Sequence, residues 1–392
     1  MSPRTKHSAW LRALAAAAAV SGCADTPTQL VQPQAPNLDA VKFWEVTAST
    51  RWNERANVLM PQRALANGQA AASRILTYLS IAQYRAVLAA EAGKEGRVHP
   101  SVSAAVGAAS VAVLSSFFPG DAGTFESQLD ADLAAPGWPG AKNQDAASGE
   151  AIGRAVGATV VAQAASDNYL VVPLGSPPVG PGFWVSAPNT AIVRSLVGTR
   201  PFFLTSPSQL RAPPPPAFGS PEFNAALAEV FAFTNPPKPD LVAIAQRWAA
   251  GFTTSANNRF ASDLIRQYHR TEREAARILA YANAATFDAQ IACWDSKLFY
   301  WYIRPVQANA AIALSVPMPN HPSYPSGHSC VTGGFMNTLM AFFPSERGRL
   351  QAVIEEAGLS RVYGGIHYRF DVEAGQEIGR RVAALALAGS LE

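Results

Sequence analysis

Residues 272–302 read EREAARILAYANAATFDAQIACWDSKLFYWY, a run from Glu272 to Tyr302 with neither proline nor glycine. Such a run predicts one long helix, because the two strongest breakers of helical backbone are both missing. Helical spacing extends on either side of it. From Lys42 to about Asp167 the chain is rich in alanine, and Ala71–Ala92 sets Ile75, Leu76, Leu79, Ile81, Ala82 and Val87 among polar residues. Breaks fall at Pro119-Gly120 and at Pro136-Gly137-Trp138-Pro139-Gly140, which divides this half into four or five helices. From about residue 168 the character changes. Pro173, Pro177, Pro178, Pro181 and Pro213 to Pro216 rule out regular helix up to residue 220. Helical patterning resumes at Pro221 and continues to the C-terminus. The expected fold is all-α: two packed helical bundles, residues 38–170 and 221–392, joined by a crossover or lid over 171–220, with the chemistry in the second bundle.

Composition agrees with that class. Of 392 residues, 48% are hydrophobic and 15% charged, a balance suited to packed helices more than to short strands. The formal charge of +3 includes Arg4, Lys6 and Arg12, which read as a leader; without them basic and acidic residues balance at 28 each. No basic stripe marks a nucleic-acid partner.

The leader pairs that basic start with the short apolar stretch Ala13–Val20, which is too short to span a membrane. Val20-Ser21-Gly22-Cys23 resembles a bacterial lipobox. That resemblance implies a signal peptide over 1–23, lipidation of Cys23, a tether over 24–37, and membrane contact through the lipid anchor only. Ala24 after the cysteine implies sorting to the periplasmic face of the outer membrane. Ordinary secretory cleavage nearby is the alternative. Elsewhere no apolar run reaches a membrane span; Ser101–Phe118 reads as a buried helix. Cys293 and Cys330 are the remaining cysteines, read as small buried thiols, with a disulfide the other option.

Three segments in the second half carry polar residues at telling spacings. Lys297 and Arg304 are seven apart, close to two helical turns, so they are expected on one face of a helix that Pro305 ends. Two cations on an apolar helix call for an anion or a wet cleft, although a solvated Lys and a snorkelling Arg would do as well. Pro325-Ser326-Gly327-His328 precedes an apolar-periodic stretch from Val331 to Phe343, so Ser326 is expected to cap a helix whose free N–H groups suit an anion. Alone, it is a plain cap. Finally, Arg361, His367 and Asp371 follow one another so that His367 and Asp371 are i and i+4. On a helix the carboxylate could fix the imidazole tautomer and leave the other nitrogen free. A purely structural His–Asp pair is the alternative.

Taken in order, Lys-x6-Arg-Pro, Pro-Ser-Gly-His and Ser-Arg-x5-His-x3-Asp resemble the signature of the superfamily that joins vanadium haloperoxidases with type 2 phosphatidic acid phosphatases. The likeness extends through Phe287-Asp288-Ala289, Cys293-Trp294-Asp295 and Val362 to Asp371. It implies a vanadium chloroperoxidase-like fold and an oxyanion cage. In that cage Lys297, Arg304 and Arg361 neutralise oxygens, Ser326 and Gly327 donate hydrogen bonds, His367 is the vanadium ligand, Asp371 supports it, and His328 is the acid/base. Held as a phosphatase site, the same cage makes His367 the nucleophile toward phosphorus and His328 the proton donor to the leaving alcohol.

Two positions lean toward halide oxidation. Trp294 stands where chloroperoxidases carry a tryptophan beside the halide, and His321 where bromoperoxidases carry a histidine. Either is also an ordinary core or loop residue. The expected function is therefore a vanadate-dependent haloperoxidase using hydrogen peroxide and halide, with a periplasmic phosphatase acting on a phosphate ester as the alternative.

Overall fold

The computed structural model describes residues 47–391 apart from 64, 66–67, 94–98, 136–143, 170, 172–175 and 188–195. The readings for the leader and tether, Cys23 among them, lie outside the described residues. The first half forms α1 (Ala48–Leu59), α2 (Gly68–Ala92), α3 (Val102–Phe117), α4 (Ala122–Ala134) and α5 (Ala146–Ala165). The second forms α6 (Pro221–Thr234), α7 (Pro239–Ala249), α8 (Thr253–Gln267), α9 (Glu272–Tyr300), the short α10 (Pro305–Ala308), α11 (Gly327–Phe342), α12 (Arg347–Tyr363) and α13 (Arg369–Ala388). Among the described residues, strand structure is limited to a parallel pairing of His99–Pro100 with Gln144–Asp145. The protein is all-α, as its patterning predicts.

Helix starts follow local chemistry. Ser101, Asp145, Ser220 and Thr271 each accept the N–H three residues on, so an orphan donor of the first turn is satisfied. Thr271 and Glu274 do so reciprocally and open α9 with a capping box. Pro221, Pro239 and Pro305 stand at first helical positions, where a missing N–H costs nothing.

Two apolar cores meet on α9. Its first half, through Ala276, Ala280, Tyr281 and Ala284, packs with Trp52, Leu76, Val106 and Leu114. Its second half, through Phe287, Ile291, Cys293 and Trp294, packs with Tyr302, Tyr324, Tyr368 and Val382. Small residues let α11 and α13 approach closely: a Cβ on Gly379 would fall 2.5 Å from the Gly334 nitrogen, and one on Gly375 would fall 2.6 Å from the Ser326 carbonyl oxygen. That contact draws the start of α11 against the first turns of α13.

The described residues of the proline-rich crossover form a strap along the second half of α9. Buried Asp288 accepts the backbone N–H groups of Phe202, Phe203 and Leu204 at 2.8, 2.6 and 3.0 Å. Arg211 pairs with Asp295 at 2.7 Å. Tyrosine hydroxyls tie down its carbonyls: Tyr300 to Ala212, Tyr324 to Pro213 and Tyr302 to Pro216. Farther upstream, Trp184 N–H donates to the Trp301 carbonyl, and Ile303 N–H to that of Gly182. Among the described residues, no helix is long and apolar enough to cross a membrane. Cys293 and Cys330 are free, buried thiols.

Candidate active site

Lys297 lies on the last turns of α9, and Arg304 does not share that helix. The chain leaves α9 at Trp301, whose φ of 51° is left-handed, and Arg304 becomes the extended residue that caps α10. Pro305 thus begins a helix where it was expected to end one. The two cations are brought together by turning, and what they share is the loop from His321 to Pro325. Lys297 Nζ donates to the carbonyls of Pro322 at 2.9 Å, Ser323 at 2.7 Å and Pro325. Arg304 donates to the His321 carbonyl through Nε at 3.1 Å and Nη2 at 3.0 Å, and to the Ile366 carbonyl through Nη1 at 2.6 Å. Both cations are fully buried, and so, nearly, is Arg361, whose Nη2 donates to the Ala245 carbonyl at 2.8 Å. Burial disfavours their charge. It pulls Lys297 down to about 8, Arg304 to about 9 and Arg361 to about 10.

His367 also departs from expectation, since it precedes α13 and does not lie on it. The pair with Asp371 forms nonetheless. Asp371 occupies the third position of α13 and reaches back over the helix start, where its Oδ2 accepts from His367 Nδ1 at 2.8 Å, Tyr368 N–H at 3.1 Å and Ser323 Oγ at 2.5 Å. Burial pushes its carboxyl up to about 6, against the pull of Ser323 and Lys297, which leaves it ionised at neutral pH. Burial and then Arg304 hold His367 well below the ordinary histidine range. The neutral ring therefore carries its proton on Nδ1. Its Nε2 keeps a lone pair, placed 3.2 Å from Arg304 Nη1.

Ser326 is the residue before α11, as predicted, but its side chain makes no capping bond. Its hydroxyl is buried with no hydrogen-bond partner among the described residues, and so is Arg361 Nε. Gly327 opens α11 against the Trp294 ring, which a Cβ there would meet at 3.4 Å. His328 Nε2 lies 3.1 Å from the Trp248 carbonyl and 3.2 Å from Arg361 Nη1. Burial and then Arg361 press this imidazole down to about 3. The His321 ring stacks at a tilt on Trp294, centroids 5.2 Å apart, and its Nδ1 accepts from Arg304 Nη2 at 3.0 Å.

Apart from Cys23, which lies outside the described residues, the predicted site residues, from Trp294 to Asp371, thus come together in one neighbourhood. Three cations stand there against the single hydrogen-bonded carboxylate Asp371, and unpartnered donors at Ser326 and Arg361 complete a set that fits an oxyanion. Vanadate and phosphate both meet that description. Sequence reading missed Ser323, the loop carbonyls that hold Lys297 and Arg304, and the end of α7 behind His328 and Arg361. None carries a sequence signal, since a backbone carbonyl belongs to every residue and α7 lies far from the motifs along the chain.

A buried cationic cage beside a carboxylate-held histidine, carried on an all-helical fold, has the chemistry of an oxyanion site. Residues 276–390 match the family model described as the PAP2 superfamily. Among solved structures the fold is similar to that of the first bacterial vanadium-dependent iodoperoxidase, at 23% identity and a TM-score of 0.73, covering 88% of this chain and 96% of that one. Apo and holo bacterial vanadium-dependent chloroperoxidases follow with TM-scores of 0.65 and 0.64 at 16% and 15% identity. They cover 80% and 91% of this chain, and 92% and 95% of their own. No curated protein sequence matches the chain.

Proposed function

We propose that the protein is a vanadate-dependent haloperoxidase-type enzyme that oxidises halide with hydrogen peroxide. The observation that carries this reading is the Trp294–His321 pair, its rings tilted against each other with centroids 5.2 Å apart beside Lys297 and Arg304, which gives the cage an aromatic flank suited to a polarisable anion. The likeness to vanadium-dependent haloperoxidases over most of the chain, beyond the matched C-terminal segment, supports it.

Bound vanadate supplies a Lewis-acidic centre that activates peroxide for oxygen transfer to halide. The protein's part is binding and proton handling. His367 offers the Nε2 lone pair as ligand, and Asp371 keeps the proton on the far nitrogen. Arg361 Nε and the Ser326 hydroxyl, both buried without partners, and the Gly327 N–H would hold the oxyanion's oxygens, and Lys297 and Arg304, now on backbone carbonyls, would add their charge. His328, on the Arg361 side, takes and returns protons.

The PAP2 match favours a second reading on the same residues. In it the cage holds a phosphate ester, His367 attacks phosphorus, and His328 protonates the leaving alcohol. Purified protein assayed with and without orthovanadate separates the two. Vanadate-dependent bromide or iodide oxidation supports the haloperoxidase. Ester hydrolysis inhibited by vanadate, with no halide oxidation, replaces it with the phosphatase. From the lipobox-like Val20–Cys23 we further infer an exported lipoprotein, anchored at the periplasmic face of the outer membrane through Cys23 alone.

A further inference from the structure

The last turn of α7 ends against the acid/base histidine. C-terminal carbonyls of a helix have no partner within it, and they carry the negative end of its dipole. Here two carbonyls near that end face the cage: Trp248 O lies 3.1 Å from His328 Nε2, and Ala245 O accepts from Arg361 Nη2 at 2.8 Å. What secures the Trp248 end is a carboxylate outside the cage. Glu356 Oε1 accepts from the Trp248 indole Nε1–H at 2.8 Å and from Arg247 Nη2 at 2.5 Å. Its side chain is 10% exposed. Glu356 lies on α12, the helix that carries Arg361, so one element holds both the cation and the clamp.

We propose that Glu356 is a positioning residue for His328, acting through Trp248 to decide which imidazole nitrogen carries the proton. His328 Nε2 can donate to the Trp248 carbonyl or accept from Arg361 Nη1, 3.2 Å away, but one nitrogen cannot do both. The cations facing His328 are Arg361, Arg304 and Lys297, and the Trp248 carbonyl supplies the opposing partial charge. With that carbonyl held close, Nε2 keeps the proton and Nδ1 keeps the lone pair. If the turn moves away, Arg361 claims the Nε2 lone pair and the proton passes to Nδ1. The effect is confined to the end of α7. Ala245 is seated independently by Val316 and Ile366, so the Arg361 anchor stays when Glu356 is lost.

This assignment rests on His328 being the site's acid/base, and its test also includes a measurement that needs no turnover. Full-length protein carrying 15N-labelled histidine is examined by two-bond 1H–15N correlation with inorganic phosphate bound, and His328→Ala identifies the resonance. Wild type should show the Nε2–H tautomer. Glu356→Leu and Trp248→Phe should shift it toward Nδ1–H, whereas Glu356→Gln, which keeps an acceptor for the indole, should not. Turnover should fall in the first two variants by roughly 10–100-fold, the range seen when a supporting hydrogen bond is lost, with KM and phosphate affinity little changed. The double variant should be no worse than the poorer single one. An unchanged tautomer in folded Glu356→Leu overturns the proposal. So do equal losses in Glu356→Leu and Glu356→Gln, which would point to the Arg247 pair. Absence of both peroxidase and phosphatase activity in wild type overturns the functional reading instead, while the tautomer still decides this one.

Discussion

Replacing Asp371 by alanine tests the site where its chemistry and its stability are joined. The carboxylate is fully buried and accepts from His367 Nδ1 at 2.8 Å, Ser323 Oγ at 2.5 Å and Tyr368 N–H at 3.1 Å. Alanine strands three buried donors, each costing about 1–3 kcal/mol when unpaired, and one of them is a helix-start N–H worth about 1 kcal/mol. Relief from burying a charge offsets part of this, so the net loss should be roughly 3–5 kcal/mol, as when a buried charge loses its partner. Turnover should fall by roughly 10–100-fold as His367 loses its orientation. Asp371→Asn, which keeps an acceptor, should lose less of both. The carboxyl is raised from 3.8 to about 6, so the folded state binds its proton more tightly than the unfolded chain does. Its contribution to stability is then greatest in acid and declines as pH rises through that window, and Asp371→Asn should remove that slope. Urea unfolding across pH, with steady-state turnover of whichever reaction wild type performs, measures both effects. A folded Asp371→Ala protein with near wild-type turnover, or an Asn variant worse than Ala, would refute the tautomer reasoning.

Four further outcomes are expected. His367→Ala should abolish turnover under either reading, and a folded variant that keeps most activity would sink the site assignment. Lys297 is lowered from 10.5 to about 8, so calorimetry should show phosphate affinity falling above about pH 8 as the free site loses that charge. Because the unfolded chain holds this proton more tightly, stability should rise over the same window. His321→Ala removes the Nδ1 contact to Arg304 but spares its carbonyl contacts at 3.1 and 3.0 Å, so vanadate affinity should hold while halide KM or the pH profile of bromide oxidation shifts. Cys23→Ser should abolish lipid-precursor labelling and detergent partitioning, and a variant that stays membrane-bound would place the anchor elsewhere.

Helix content, and which motif residues the fold gathers in one place, were legible in the sequence. The breaker-free run at 272–302 became α9, Pro221 opened α6, and Ser326 stands directly before α11. The geometry inside the site was less legible. A spacing of seven suggested one helix for Lys297 and Arg304, but it cannot show a left-handed residue at Trp301 or a proline that begins α10. The i,i+4 relation of His367 and Asp371 was right in contact and wrong in cause. The carboxylate folds back over a helix start, and the same reach lets it hold Ser323 and Tyr368. Contacts made by backbone carbonyls have no residue type to announce them.

The position of α9 explains how so charged a site can be buried. Its first half is fixed in one core and its second half in the other, so Lys297 projects from a helix anchored along nearly its whole length. The crossover is tied to that second half by Asp288 and Asp295 and to neighbouring tyrosines by its own carbonyls, which closes the outer side of the segment leading to Arg304. Burial costs the three cations part of their proton affinity, and the backbone carbonyls of 321–325, Ile366 and Ala245 offset that cost. Among the described residues Lys297, Arg304 and Arg361 are hydrogen-bonded to neutral dipoles and not to carboxylates, so an entering oxyanion would compete only with those dipoles. Exchanging a carbonyl for a charged oxygen strengthens each bond. A cage held by carbonyls is therefore poised for an anion in a way that one closed by ion pairs would not be.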